Sequence, residues 1–182
     1  KGNANGKNSL VGGFDCTAGG SNSVALGSLT NSQALNSFST GQGNISSAIN
    51  SSSFGNGNEI QNTADNAIVG GKNNIVGGKQ GFSFGTANTL SSNNSMIIGS
   101  RNTVTTSSFE SILLGNDNTT NSKTQVKSLG DGLTGASSQG VYLGKYNDNT
   151  DSYNKFQIGN GTSLASKSNS LSIAGDGKLK IP

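Results

Sequence analysis

The reactive side chains in this sequence are nine carboxylates and one thiol, with no imidazole among them. Asp15, Glu59, Asp65, Glu110, Asp117, Asp131, Asp148, Asp151 and Asp176 are scattered along 182 residues. Of these, Asp148 and Asp151 are the pair close in sequence. Two carboxylates can hydrolyse a glycosidic bond when one acts as acid and the other as base or nucleophile. No nucleophile or base accompanies this pair, and the absence of His removes the commonest general base and metal ligand. Cys16 is single, so neither a CxxC site nor an internal disulfide is available. The run Asn147-Asp148-Asn149-Thr150-Asp151 carries oxygen ligands suited to calcium, but lacks the spacing and closing Glu of an EF-hand loop. It reads as a solvated turn. The glycine pairs Gly41-Gln42-Gly43 and Gly55-Asn56-Gly57 resemble phosphate loops, yet no helix pattern follows them. The expectation is a protein that is not an enzyme and has no cofactor and no metal.

Composition narrows the partners. Twelve basic and nine acidic residues leave a net charge of +3 without a basic run, so no nucleic-acid footprint is present. No apolar stretch approaches the roughly 18 residues of a membrane span, so no membrane insertion by this segment is expected. Gly, Ser and Asn together make up 84 of the 182 residues, and hydrophobic residues are 30%. Such poverty in apolar residues suggests disorder unless a repeat supplies the order.

A repeat runs from end to end. Asn22-Ser23-Val24-Ala25-Leu26-Gly27 recurs as Asn8-Ser9-Leu10-Val11-Gly12-Gly13, Asn36-Ser37-Phe38-Ser39-Thr40-Gly41 and Asn94-Ser95-Met96-Ile97-Ile98-Gly99. Anchoring on the closing glycine gives Gly13, Gly27, Gly41, Gly55, Gly70, Gly85, Gly99, Gly115, Gly130, Gly144, Gly159 and Gly175, with spacings of 14 to 16 residues. The residue before the anchor is Leu26, Phe54, Val69, Phe84, Ile98, Leu114, Leu129, Leu143 or Ile158, and the residue three before it is also often apolar. In an extended strand these two positions point the same way, so they are expected to form the core ladder. Further apolar residues four or five positions after the anchor, such as Ile45, Ile60, Ile75 and Leu90, mark a second short strand. Gly27, Gly41, Gly55, Gly70, Gly85 and Gly99, with Asn44, Asn58, Asn73, Asn88, Asn102 and Asn118 three residues on, are expected to turn the corners, because Gly and Asn enter left-handed conformations most cheaply.

These features predict an all-β fold: a parallel β-solenoid of about twelve coils stacked at about 4.8 Å. Residues 1–130 form regular coils, 131–175 looser ones, and 176–182 an exit segment towards a following domain. The position two before the anchor, held by Val11, Ala25, Ile68, Ile97, Leu113, Tyr142 and Ile173, faces opposite to the expected core yet is often apolar. A strand apolar on both faces is buried on both, which predicts association with identical chains.

The pattern N-S-x-h-h-G followed by G-x-x-N-x-h, with h apolar, resembles the head repeat of trimeric autotransporter adhesins, the YadA-like β-roll, over residues 8–130 and more loosely over 131–175. Related repeats occur in bacteriophage tail fibres. The stretch Phe156-Gln157-Ile158-Gly159-Asn160-Gly161, with Asp176-Gly177-Lys178-Leu179-Lys180-Ile181-Pro182, is similar to segments that precede an intramolecular chaperone domain in such fibres. The resemblance implies a left-handed β-roll, a parallel homotrimer, and attachment to a cell-surface glycan or protein receptor outside the cell, from a bacterial surface or a virion tail. Asn here takes the place of the Ala common in bacterial heads.

Residues 142–156 carry the best candidate for recognition, with Tyr146, Asp148, Asp151 and Tyr153 as expected receptor contacts. Exposed aromatics beside polar groups suit sugar or protein surfaces. A purely structural spacer is the other reading. Ice binding through Thr103, Thr105 and Thr106 would need a threonine row that recurs in each coil, and these residues do not repeat that way.

Overall fold

A computed structural model describes residues 1–181; the exit segment's last residue, Pro182, lies outside the described residues. Those residues form an all-β parallel solenoid without helix. Its long strands are Leu10–Phe14, Val24–Ser28, Phe38–Gln42, Ser52–Asn56, Ile68–Lys72, Phe82–Thr86, Met96–Ser100, Ile112–Asn116, Lys127–Asp131, Val141–Lys145 and Asn154–Asn160, each paired in parallel with the next. Between them two-residue strands, from Asn3–Ala4 to Thr103–Val104, build a second parallel sheet, continued by single bridges from Thr103 to Thr119 and from Thr119 to Thr134.

The solenoid therefore has about eleven turns and not twelve. The unit anchored at Gly175 forms no coil: Asn169–Ala174 runs antiparallel to Asn154–Asn160, and Leu179–Lys180 runs antiparallel to it in turn. Apolar alternation encodes a strand but not its direction, which is how the hairpin passed for one more repeat.

A glycine column fixes the stacking. Gly13, Gly27, Gly41, Gly55, Gly71, Gly85 and Gly99 face one another in register, with φ between 107° and 136°. A Cβ on Gly85 would collide with the carbonyl oxygen of Gly99 in the next coil. Gly27, Gly41, Gly55, Gly85 and Gly99 thus lie inside the long strands, next to their last residue, and not at corners, and in the coil of Ile68–Lys72 the column residue is Gly71 and not Gly70. Two extra residues between Gly55 and Gly71 shift that coil, and the adjacent glycines hid the shift.

Two corners per coil use the left-handed region. The Asn of the repeated Asn-Ser sits at one, with Asn66 of Asn66-Ala67 in the same place: Asn8, Asn22, Asn36, Asn50, Asn66 and Asn94 have φ of 55° to 60°. On the surface the amides of Asn22, Asn36, Asn50 and Asn66 pass hydrogen bonds from coil to coil at 2.9–3.1 Å. The Ser that follows turns inward, where Ser23 Oγ donates to Gly20 O at 2.6 Å and Ser51 Oγ to Ala48 O at 2.6 Å. The other corner holds Leu29, Asn73, Ala87, Arg101 and Tyr146 with φ of 41° to 58°. The stacked coils impose this conformation even where the side chain disfavours it.

The remaining Asn set does something else. Asn44, Asn58, Asn74, Asn88, Asn102 and Asn118 are fully buried and outside the positive-φ set. Asn58 Nδ2 donates to Asn44 Oδ1 (3.1 Å), Phe54 O (2.8 Å) and Gly71 O (2.8 Å), while Asn44 Oδ1 also accepts the Asn58 backbone N–H at 2.9 Å. They are rungs of an internal amide ladder and not corners. Asn73 is the corner of its coil, and Asn74 takes the rung.

The core lies on the opposite face of the long strands from the one expected. Leu26, Phe84, Leu114, Leu143 and Ile158 are only half-buried, and Phe54, Ile98 and Leu129 are exposed, Leu129 at 55%. Val69 is buried because the coil shift moves it to the inward position. The interior instead receives the second residue of each five-residue strand from Val24–Ser28 onward, Ala25, Ser39, Ser53, Val69, Ser83, Ile97, Leu113, Ser128 and Tyr142, and then Gln157. From the short strands it takes Ala18, Ser32, Ser46, Ile60, Val76, Leu90 and Val104. A tube with one inward residue per strand is too narrow for the bulkier flanking pair, which stands outside. Phe38 packs on Phe54 with ring centroids 5.6 Å apart, and Phe82 on Phe84 at 4.7 Å, on this outer face. Near its C-terminal end Ile112, Leu114, Leu129, Val141 and Leu143 line an apolar groove of about 210 Å³.

Candidate functional site

Side chains stop being periodic where the roll ends. Between strands Val141–Lys145 and Asn154–Asn160 the chain makes two Asx turns. Asp148 Oδ1 accepts the Thr150 N–H at 3.0 Å, and Asp151 Oδ1 accepts the Tyr153 N–H at 3.0 Å. Both arise because a short carboxylate reaches its own backbone two residues on. The reversed strand Asn169–Ala174 is pinned to this turn by Asn169, which accepts the Asp148 N–H at 3.1 Å and donates to Asp148 O at 3.0 Å.

Lys180 closes the arrangement. Its Nζ lies 2.8 Å from Asp151 Oδ2. That hydrogen bond, with the Tyr153 amide, holds the Asp151 carboxyl below the ordinary carboxylate range and raises the Lys180 ammonium above its own. Lys178, 2.8 Å from Asp176, lowers that carboxyl in the same way. Asp151 is thus kept ionised and is not a proton donor.

Two open clefts flank the Asp151–Lys180 pair. One, of about 370 Å³, is lined by Asp148, Thr150, Asp151, Asn154, Asn169, Ser172, Lys180 and Ile181. The other, of about 440 Å³, is lined by Asp151, Tyr153, Ala174, Gly175, Asp176, Lys178 and Lys180. Both volumes fall in the roughly 300–1,000 Å³ span of small-molecule sites.

The structure brings together Asp148, Asp151 and Tyr153 of the four expected contacts. Tyr146 lies apart from both clefts: it occupies a left-handed corner, its ring against Gly132 and its carbonyl accepting the Ser168 N–H at 3.1 Å. Sequence reasoning missed Asn154, Asn169, Ser172, Lys178 and Lys180, which come from the hairpin or the strand it covers. The alternation Lys178-Leu179-Lys180 was the one available sign of an edge strand there. Among the described residues no group of three or more His, Cys, Asp or Glu converges as a metal site, and no helix is long and apolar enough to cross a membrane.

No family model matches the sequence, and no curated protein matches it.

Proposed function

We propose that this chain is a non-catalytic segment of a fibrous attachment protein, a left-handed β-roll of the YadA-like kind that assembles as a parallel homotrimer. It would present three equal surfaces to a cell-surface glycan or protein receptor, from a bacterial surface or a virion tail. One observation carries the reading. The outer face of the long strands displays an apolar column, including Phe38, Phe54, Ile68, Phe82, Phe84, Met96, Ile98, Ile112, Leu114 and Leu129, along most of the rod. A contiguous apolar surface of this kind marks an interface. An identical chain laid in parallel offers the same column at the same rise.

Trimeric display suits attachment because three weak contacts held at fixed spacing bind far more tightly than one. The runner-up reading is a spacer that carries binding domains elsewhere; the uniform coils, free of long insertions up to residue 140, favour it. Sedimentation equilibrium tests the assembly: three times the 18.3 kDa chain mass is expected, and a stably folded monomer would overturn it. Binding of the purified rod to host cells separates attachment from spacing.

A further inference from the structure

We propose that the paired clefts at the C-terminal end of the roll form one two-lobed site for a neutral oligosaccharide, one sugar ring on each side of the Asp151–Lys180 ion pair. The inference rests on the attachment reading and names the class of receptor.

Charge selects against ions. The first cleft contains the carboxylates of Asp148 and Asp151, which oppose an anion, and the Lys180 ammonium, which opposes a cation. The second balances Asp176 with Lys178 at 2.8 Å. A ligand rich in hydroxyl groups, each both donor and acceptor, meets no such conflict.

Hydrogen-bonding capacity is left over where such a ligand would sit. Asn154 is only 3% exposed, lines the first cleft, and its Oδ1 has no partner among the described residues. Its neighbours are committed: Asn169 spends both amide atoms on Asp148, and Asp151 spends both carboxylate oxygens on Tyr153 and Lys180. A buried acceptor without a donor is a cost, and because this oxygen is closed to solvent, a ligand hydroxyl relieves it once the Asn154 amide turns toward the cleft.

The second lobe supplies the other half of sugar recognition. Tyr153 is 76% exposed and has no aromatic stacking partner among the described residues. Its ring, with Ala174 and the Lys178 stem, offers an apolar wall for the C–H face of a pyranose. Polar groups on one side of the ion pair and an aromatic wall on the other match the amphipathic character of a sugar chain.

The intact chain is screened on an array of neutral and acidic oligosaccharides, and the strongest neutral ligand is titrated by calorimetry against wild type, Tyr153→Ala, Asp148→Asn and Lys72→Ala. Neutral ligands are expected to lead, with affinity falling about tenfold in Tyr153→Ala and unchanged in Lys72→Ala, which lies on the roll. Asp148→Asn keeps the turn oxygen and removes charge, so it is expected to weaken binding with the circular dichroism intact. Because Tyr153 is so exposed, its loss does not threaten folding. Absence of binding to any neutral glycan at millimolar concentration, selective capture of acidic glycans or peptides, or equal losses in Tyr153→Ala and Lys72→Ala would each overturn the proposal. Failure of the fibre reading is distinguishable, because it shows as a monomer in sedimentation and leaves this titration readable.

Discussion

The coils near the N-terminus and those in the middle share one backbone and enclose opposite interiors. Through Ser53 the tube is filled by Ala18, Ala25, Ser32, Ser39, Ser46 and Ser53. From Ile60 to Leu113 the corresponding positions hold Ile60, Val69, Val76, Leu90, Ile97, Val104 and Leu113, with Ser83 the exception. Glycine column and corners pass through both regions, while the amide ladder begins at Asn44, its position being held by Cys16 and Thr30 in the two preceding coils. Backbone geometry therefore specifies the tube, and its filling is negotiable. In the first region the serines find partners, Ser32 Oγ donating to Val24 O at 2.6 Å and Ser46 Oγ to Phe38 O at 2.9 Å, whereas the buried Thr30 Oγ1 has none among the described residues. Ser39, Ser46 and Ser53 close a triangle of contacts at 2.8–3.0 Å.

The largest expected effect is one that ignores the difference. Gly41→Val and Gly85→Val should abolish folding alike, since each adds a branched side chain at a positive φ against the next coil's carbonyl. Circular dichroism checks it; survival of either variant would mean that the column is not what fixes the coil. Truncation of the filling should separate the regions. Leu90→Ala is expected to cost about 2–5 kcal/mol through lost burial and a cavity. Ser53→Ala should cost about 1 kcal/mol, the worth of one internal hydrogen bond. Denaturant titration reads both, and equal losses would erase the contrast. Ser83 sharpens it further. Its Oγ is buried among the aliphatic coils without a partner among the described residues, so Ser83→Ala should leave stability unchanged or raise it by up to about 1 kcal/mol. The same substitution thus changes sign between the two regions.

The smallest effect belongs to the end hairpin. Asp151 and Asp176 are held below their ordinary range by Lys180 and Lys178, so their contribution is full above the unfolded carboxylate value of about 4 and is lost as pH falls below it. Amide exchange in Asn169–Ala174, measured against the intrinsic rate at each pH, should quicken below about pH 4 while the central coils stay protected. Equal acceleration everywhere would show that the hairpin is not held by these pairs.

Much of this fold was legible because a repeat averages out local ambiguity. One Gly per coil and the Asn-Ser that precedes five of the eleven long strands were enough to give the period, the two strands and the parallel stack. Facing was not legible. The rule that bulky apolar residues point inward failed at Leu26, Phe54 and Ile98, because the tube is narrow and its outer face is itself apolar. Coil shifts were hidden where Gly70 adjoins Gly71 and Asn73 adjoins Asn74, pairs in which either residue satisfies the pattern. At the candidate site Asp148, Asp151 and Tyr153 stood out as local chemistry. Lys180, 29 positions from its partner Asp151, did not, since a reversal of chain direction brings them together.

Ladder hydrogen bonds in this rod run from coil to coil, which gives it a mechanical character. A load applied along the axis pulls on all the bonds of one junction at once, and the junctions bear it in series, so the rod is only as strong as its weakest junction. From Thr103 onward the short-strand sheet thins to the single bridges at Thr119 and Thr134. A tether under tension would part there first, leaving the coils on the N-terminal side intact.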